Sequence, residues 1–304
     1  MSNYTSYSGW IRQQFPFRVQ KISLDAGFSC PNRDGRLSSG GCTFCNNRSF
    51  NPSYCNPQKS ITEQIAEGRA FFARKYPEMK YLAYFQAYSN TYADVDTLKS
   101  RYEEALACDG VVGLIVGTRP DCISEPVLDY LAELNRQTFL TVEYGIESAN
   151  DETLRRINRS HTFDCSAMTI RQTKERGILT GGHVIVGLPG EDSAEIVRQA
   201  TLISSTPLDL LKIHQLQILR GTRLGEEFLR EPFHVFSVDE YIATIGGYLQ
   251  HLRPDIVVER FVSQSPKDML IAPDWGLKNY EFTNRLNNYL QKNDIHQGDL
   301  WQKA

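Results

Sequence analysis

Short apolar runs alternate along the chain with longer stretches in which apolar residues recur at helical spacing. The runs are rich in β-branched and aromatic side chains and are bounded by Gly, Pro, Asn or Ser, which is typical of strands. The predicted strands are residues 19–24, 81–86, 111–116, 139–144, 183–186, 213–219 and 256–261.

The stretches between these runs are predicted to be helices. The segment 94–106, for example, carries Val95, Leu98, Tyr102 and Leu106 at the spacing of one helix face. The predicted helices are residues 60–75, 94–106, 124–134, 163–176, 194–204, 238–252 and 281–291.

Strand–helix alternation of this kind favours parallel βαβ units, so the predicted fold is α/β, a partial (β/α)6 TIM-like barrel. We expect one domain over residues 1–304, with a barrel core at about 16–254 and a C-terminal strand–helix extension at about 255–304. In such barrels the chemistry lies in the loops that follow the strands.

Composition narrows the class of protein. A net charge of -3 over 304 residues argues against a broadly basic nucleic-acid coat. The first 15 residues lack the pattern of a signal peptide, and no apolar run approaches the length of a membrane span. We therefore expect a cytoplasmic protein without a membrane partner, in which cysteines serve as free thiols or metal ligands.

Three cysteines cluster in the glycine-rich segment after the first predicted strand. Cys30, Cys42 and Cys45 have the spacing Cys-x11-Cys-x2-Cys. Thiolates are the usual ligands of iron–sulfur clusters, and three of them leave one iron open to a small molecule. Two alternatives stay open at this point: Cys55 as the fourth ligand of a structural zinc ion, or simple free thiols.

The cysteine segment and three later stretches of the chain carry a family resemblance. The stretches KISLDAGFSCPNRDG, GGCTFCN, YFQAYSNTYA, GTRPDC and VEYGIES together resemble the YhcC/YtqA group of radical S-adenosylmethionine (SAM) proteins, over most of the chain. The gap between Cys30 and Cys42 is longer than the gap between the first two cysteines of the usual radical SAM signature. More distantly, the chain is similar to the radical SAM domain of the Elongator catalytic subunit and to oxygen-independent coproporphyrinogen oxidase.

The resemblance implies a radical SAM enzyme. Its catalytic and metal-binding residues are Cys30, Cys42 and Cys45, which hold a 4Fe–4S cluster. The cluster cleaves SAM to methionine and a 5′-deoxyadenosyl radical, which then removes a hydrogen atom from the substrate. Such an enzyme needs a reductant protein such as flavodoxin or ferredoxin.

Two inward-pointing carboxylates are candidate SAM contacts. Glu143 and Glu147 alternate with apolar residues along one strand, so both are expected to face the barrel interior. The resemblance places Glu147 against SAM and directs Arg159 at the SAM carboxylate. The alternatives are an internal salt bridge for the carboxylates and a solvated helix-end arginine.

The remaining candidate SAM contacts follow from position and resemblance. One is aromatic and precedes the last cysteine, three follow the second strand, and two lie on or after the fifth strand: Phe44, Ser89, Asn90, Thr91, His183 and Gly187. The alternatives are an ordinary polar turn for the second set and a core histidine for His183.

The substrate is expected from kinship with the Elongator subunit, which modifies wobble uridine in tRNA. The favoured hypothesis is modification of the wobble-uridine side chain of tRNA, with Arg33, Arg36 and Arg48 as candidate phosphate contacts. Tyrosines 81, 84, 88 and 92 are candidate stacking faces. Two alternatives remain: radical SAM chemistry on a small-molecule or porphyrin-like substrate, and a non-enzymatic, zinc-stabilised RNA-binding protein.

Overall fold

A computed structural model describes residues 2–73 and 78–302 of the chain. The strands are β1 (Val19–Leu24), β2 (Lys80–Phe85), β3 (Val111–Thr118), β4 (Phe139–Glu147), β5 (Leu179–Val186), β6 (Leu210–Gln215), β7 (Ile218–Leu219), β8 (Val257–Arg260) and β9 (Leu270–Ala272). The helices are α1 (Tyr7–Gln14), α2 (Ile61–Ala73), α3 (Val95–Leu106), α4 (Glu125–Asn135), α5 (Asp151–Arg156), α6 (Phe163–Glu175), α7 (Ser193–Ser204), α8 (Arg223–Arg230), α9 (Val238–His251) and α10 (Asn279–Lys292).

Seven strands form one parallel sheet in the order β1-β2-β3-β4-β5-β6-β8. The sheet curls until its two edges approach each other, since Lys21 Nζ on β1 lies 2.6 Å from Glu259 Oε2 on β8. On the β8 side, Ser6 at the start of α1 forms a parallel bridge with Val258. The architecture is the partial barrel that the sequence predicts.

The core lies between the sheet and its surrounding helices. On β4 the side chains of Val142, Tyr144 and Ile146 are fully buried on the helix side, and the Tyr144 hydroxyl bonds to Thr173 of α6 at 2.6 Å. Burying an apolar side chain of this size contributes about 1.5–3 kcal/mol. The polar residues of the same strand are thereby turned toward the barrel interior.

All seven predicted strands and all seven predicted helices are present, with shifted bounds. β4 extends to Glu147, β5 begins at Leu179, and residues 74 and 75 of the first predicted helix lie outside the described residues. The predicted strand 213–219 is divided: β6 ends at Gln215, and β7 pairs with β9 in a separate antiparallel sheet. The side-chain amide of Gln215 donates to Ser263 O through Nε2 and accepts from Ser263 N through Oε1.

Some elements were not predicted. α1, α5, α8 and β9 are short, although Ser6, Asn150 and Thr222 each cap the start of a helix with a side-chain oxygen. The strand β8 was assigned to an extension, but it is the seventh strand of the main sheet. Within the described residues, no helix has the length and apolarity needed to span a bilayer.

Candidate active site at the carboxyl ends of the strands

A cavity opens at the carboxyl ends of the parallel strands. Its wall includes Cys30, Cys42 and Cys45 from the loop that follows β1. All three thiols, which lie up to 15 residues apart in the chain, therefore reach one space. The structure thus brings the predicted cysteine ligands together.

Backbone hydrogen bonds fix the path of the cysteine loop. Arg33 N donates to Cys30 O at 2.7 Å, and Gly41 N donates to Asn32 O at the same distance. Gly41 has φ +79, a conformation that L side chains rarely adopt, so the paired glycines before Cys42 permit the turn. Thr43 N donates to Ile157 O at 3.0 Å, which ties the loop to the end of α5.

N–H donors surround the sulfur atoms. Asn32 Nδ2 and Arg159 Nη1 each lie 3.6 Å from Cys42 Sγ. Arg33 donates to Cys45 O at 3.0 Å and lies close to the Cys45 thiol. Burial and the neighbouring Cys42 raise the pKa of Cys45 to about 11, so metal binding there must displace a proton.

This donor set fits an iron–sulfur cluster better than a single metal ion. A cluster takes each thiolate on a different iron, so its ligands need not converge on one point. Among the described residues, no three His, Cys, Asp or Glu side chains are close enough to surround one ion. Cys55 packs in the main apolar core, where burial raises its pKa to about 12. The four-cysteine zinc site that the sequence left open is therefore not formed.

Glu147 and Arg159 meet beside Cys42. Arg159 Nη2 lies 3.2 Å from Glu147 Oε1 and donates to Gly145 O at 2.6 Å. A Cβ on Gly145 would lie 2.5 Å from atoms of both side chains, so any other residue there would displace the pair. The ladder to β5 is irregular between Gly145 and Glu147, and Glu147 has φ +67. Strict alternation along β4 therefore ends before Glu147, although its carboxylate still lines the cavity.

Arg159 is buried rather than solvated, with 6% of its surface exposed. Its Nε atom has no hydrogen-bond partner among the described residues. Arg119 holds its backbone, because Arg119 Nη2 donates to Arg159 O at 2.7 Å while Asp121 forms a two-pronged pair with the same guanidinium. Sequence reasoning missed Arg119, although it quoted the GTRPDC segment that contains it.

The three polar residues after β2 divide between wall and cavity. Ser89 lines the cavity. Asn90 is fully buried, and its amide donates to Phe85 O at 3.1 Å and Gly117 O at 2.8 Å. Thr91 Oγ1 bonds to Thr118 Oγ1 and Cys122 O, each at 2.6 Å. The Asn90 amide nitrogen and the Thr91 hydroxyl therefore hold the turn from inside the wall, whereas Asn90 Oδ1 has no hydrogen-bond partner among the described residues.

Of the other expected SAM contacts, two line the cavity and one does not. Phe44 and His183 line the cavity, and Phe44 packs its ring against a small apolar cluster that includes Leu216. Gly187 is not among the described residues that line it. Gly187 lies beneath the ring of Phe236, which a Cβ would approach to 2.9 Å. This packing and the φ of +92 account for a glycine at this position, and its contact with SAM stays a prediction.

Glu143 lies in a buried ion-pair network at the cavity floor. Its carboxylate contacts Lys212 Nζ at 2.6 Å, His183 Nε2 at 3.0 Å and Lys21 Nζ at 3.3 Å. Burial raises the pKa of Glu143, but the two lysines outweigh burial and hold it well below the usual range. These contacts match the internal salt bridge that the sequence left as the alternative. The lysines were missed, although a lysine within an apolar strand is a visible signal.

Comparison with known proteins supports the resemblance to radical SAM proteins. The Radical SAM superfamily model matches residues 34–203, and the Radical_SAM C-terminal domain model matches residues 208–292. YtqA of Bacillus subtilis is 34% identical over 99% of this chain and 93% of its own length. The tRNA uridine(34) acetyltransferase of Methanocaldococcus infernus is 24% identical over 60% of this chain and 34% of its own length.

A solved structure shares the fold. The Elp3 protein of Methanocaldococcus infernus superposes with a TM-score of 0.70 at 16% sequence identity, covering 92% of this chain and 64% of that chain. The radical SAM family uses a 4Fe–4S cluster and SAM. This chain is therefore an enzyme of the radical SAM superfamily and belongs to its YhcC/YtqA group.

Proposed function

We propose that Cys30, Cys42 and Cys45 hold the 4Fe–4S cluster and that the enzyme modifies the side chain of wobble uridine in tRNA. The observation that carries the first part is the convergence of these three thiols on one cavity, ringed by N–H donors. The bound cluster supplies the electron that cleaves SAM.

The chain's own residues position SAM beside the thiols. Arg159 adjoins Cys42, and its guanidinium offers parallel donors to a carboxylate, so we assign it the SAM carboxylate. Glu147 pairs with Arg159 and presents its carboxylate to the same space, where it accepts from the SAM ammonium group. Ser89 and Phe44 line the remaining wall. Burial of Arg159 strengthens these contacts, because water competes for them less.

The tRNA assignment rests on kinship and on the cavity rim. A relative named for uridine 34 of tRNA matches over 60% of this chain. At the rim, the guanidinium of Arg33 lies 5.9 Å from the ring centre of Tyr88, and that of Arg36 lies 5.6 Å from the ring centre of Tyr92. Tyr88 is 38% exposed and lines the cavity. Such pairs offer phosphate contacts and stacking faces together.

The four tyrosines do not all serve this role. Tyr81 and Tyr84 are buried, with 3% and 5% of their surface exposed, so they pack inside the fold. Tyr88 and Tyr92 remain for stacking. We further propose that the enzyme works in the cytoplasm with a small reductant protein such as flavodoxin or ferredoxin.

Nucleoside mass spectrometry of tRNA tests the substrate. A strain that lacks the gene is expected to accumulate an altered wobble uridine, which the wild-type gene restores and Cys45→Ala does not. Cys165→Ala, on the outer helix α6, should restore it. An unchanged wobble-uridine profile in the deletion strain would remove the tRNA proposal and redirect attention to small-molecule substrates.

A further inference from the structure

Charged side chains from several strands meet below the cysteine loop, and two of them, Glu143 and Arg260, line the floor of the cavity. β1 supplies Lys21, β4 supplies Glu143, and β6 supplies Lys212. β8 supplies the adjacent pair Glu259 and Arg260. The floor therefore holds three cationic side chains and two carboxylates.

The two carboxylates are fully used by the two lysines. Glu259 contacts Lys21 Nζ at 2.6 Å and Lys212 Nζ at 3.5 Å, while Glu143 contacts both lysines as well. Burial alone would raise the pKa of Glu259, but Lys21 and Lys212 outweigh burial and hold the pKa below its usual value. Glu143 and Glu259 are therefore both ionised at neutral pH. Each lysine is thus paired twice.

Arg260 is left without a partner. Among the described residues, no carboxylate lies within ion-pair distance of its guanidinium and no acceptor takes a hydrogen bond from it. Its Nε atom is buried, and the side chain lines the cavity. A guanidinium stays charged at any physiological pH, and burying a charge without a partner is costly.

The neighbouring histidines do not cancel this charge, nor do they add to it. Burial lowers the pKa of His214 to about 3, with Arg260 contributing, and burial also lowers the pKa of His183. Both rings are neutral at pH 7. Three cationic side chains and two carboxylates therefore leave a net charge of one positive unit. That charge is on Arg260, which lines the cavity.

We propose that Arg260 forms an anion subsite at the cavity floor, which binds a singly charged group of the substrate, a carboxylate. The charge excess of one matches a singly charged group, and the planar guanidinium matches the two oxygens of a carboxylate. The subsite lies on β8, whereas the arginine assigned to SAM follows β4 and adjoins Cys42. The proposal rests on the proposed function only in placing the substrate in this cavity.

Acetate, a monocarboxylate, is the probe for the subsite. The enzyme is prepared anaerobically with its cluster and with 13C-labelled histidine, and the ring signal of His214 is followed by NMR as acetate is added. We expect a saturable shift, and at least about tenfold weaker binding in Arg260→Gln, a loss typical of one charge-assisted contact. Arg136→Gln, an exposed position after α4, should bind acetate as wild type does.

A purely structural role for Arg260 predicts different results. Loss of a structural arginine would lower the melting temperature, whereas removal of an unpaired buried charge should leave it unchanged or raise it. Arg260→Lys keeps the charge without the planar fork and should bind acetate with intermediate affinity. A melting temperature that falls in Arg260→Gln, together with unchanged acetate binding, overturns the subsite.

Two further arms separate the anion from SAM and from phosphate. SAM cleavage without other substrate, measured as 5′-deoxyadenosine, should change less than about twofold in Arg260→Gln, because Arg260 lies on a different strand from Arg159, the arginine assigned to SAM. A loss of SAM cleavage as large as the loss of acetate binding would assign Arg260 to SAM instead. Tighter binding of inorganic phosphate than of acetate would overturn the carboxylate. None of these arms uses tRNA, so failure here and failure of the tRNA proposal are distinguishable.

Discussion

The two ends of the cavity are built in different ways. The upper end is one glycine-rich loop whose three thiols lie up to 15 residues apart in the chain and are held by local backbone hydrogen bonds. The floor is assembled from β1, β4, β6 and β8, whose residues Lys21 and Glu259 are separated by most of the chain yet lie 2.6 Å apart. A local motif therefore defines the chemistry, while the whole curled sheet defines the charge of the space beneath it.

The contrast extends to what each end contributes to stability. At the floor, Lys21, Lys212, Glu143 and Glu259 form a buried ion-pair network, and loss of one member leaves an uncompensated charge. The loop binds a group that the chain alone does not supply. We expect substitutions in this network to affect folding first, and substitutions in the loop to affect cofactor content and activity first.

The largest effect on stability is expected from Glu143→Gln. This change leaves Lys212 and Lys21 with Glu259 as their shared carboxylate and should lower the free energy of unfolding by about 3 kcal/mol or more. Urea unfolding at pH 7 measures it. The matched control Glu133→Gln, exposed on α4, should change stability by less than about 0.5 kcal/mol. A loss below about 1 kcal/mol for Glu143→Gln would mean that the network contributes little.

A conservative change at Arg159 tests the upper end of the cavity, where we expect an effect on activity rather than on folding. Arg159→Lys keeps the charge beside Cys42 but loses the two-pronged geometry, so 5′-deoxyadenosine formation should fall about tenfold or more while iron content is retained. Arg136→Lys serves as the exposed control. Wild-type rates in Arg159→Lys would show that the guanidinium does not position SAM.

Acid should remove the advantage of the floor network. The folded-state pKa of Glu143 lies below its value of 4.5 in the unfolded chain, so its contribution to stability is complete above pH 4.5 and is lost as the pH falls through the folded-state value. The difference in unfolding free energy between wild type and Glu143→Gln should therefore shrink below pH 4.5, by at most about 1.4 kcal/mol per pH unit. Urea midpoints at pH 7, 5.5 and 4 measure it, and a constant difference would contradict the network's charge state.

The smallest effect is expected at the rim. Tyr88→Ala removes a half-exposed ring that lines the cavity beside Arg33 and should weaken tRNA binding about fivefold, as loss of one stacking face does. Tyr280→Ala, an exposed tyrosine on α10, should leave binding unchanged. Filter binding at fixed salt measures both, and equal affinities for the two variants would remove Tyr88 from the interface.

The sequence predicted the helices, the strands and the cluster of cysteines, because each of these depends on residues that are close together in the chain. Apolar periodicity marked β1 to β6, and Cys30, Cys42 and Cys45 stood out by residue type and spacing. The floor could not be read, because pairing of Lys21 with Glu259 depends on how far the sheet curls. The packing of Gly187 against Phe236 could not be read for a related reason, since Phe236 lies on a distant segment. Alternation predicted the inward face of Glu143 but not the backbone turn at Glu147, where φ is +67.

Cofactor loading of single cysteine variants tests the central claim most directly. Iron, sulfide and 5′-deoxyadenosine are measured in anaerobically prepared Cys30→Ala, Cys42→Ala and Cys45→Ala, with Cys165→Ala as the control outside the cavity. The account predicts loss of cluster absorption and of 5′-deoxyadenosine in each of the three variants, and wild-type values in the control. Full iron content and SAM cleavage in any one of the three would contradict the assignment of these thiols as the cluster ligands.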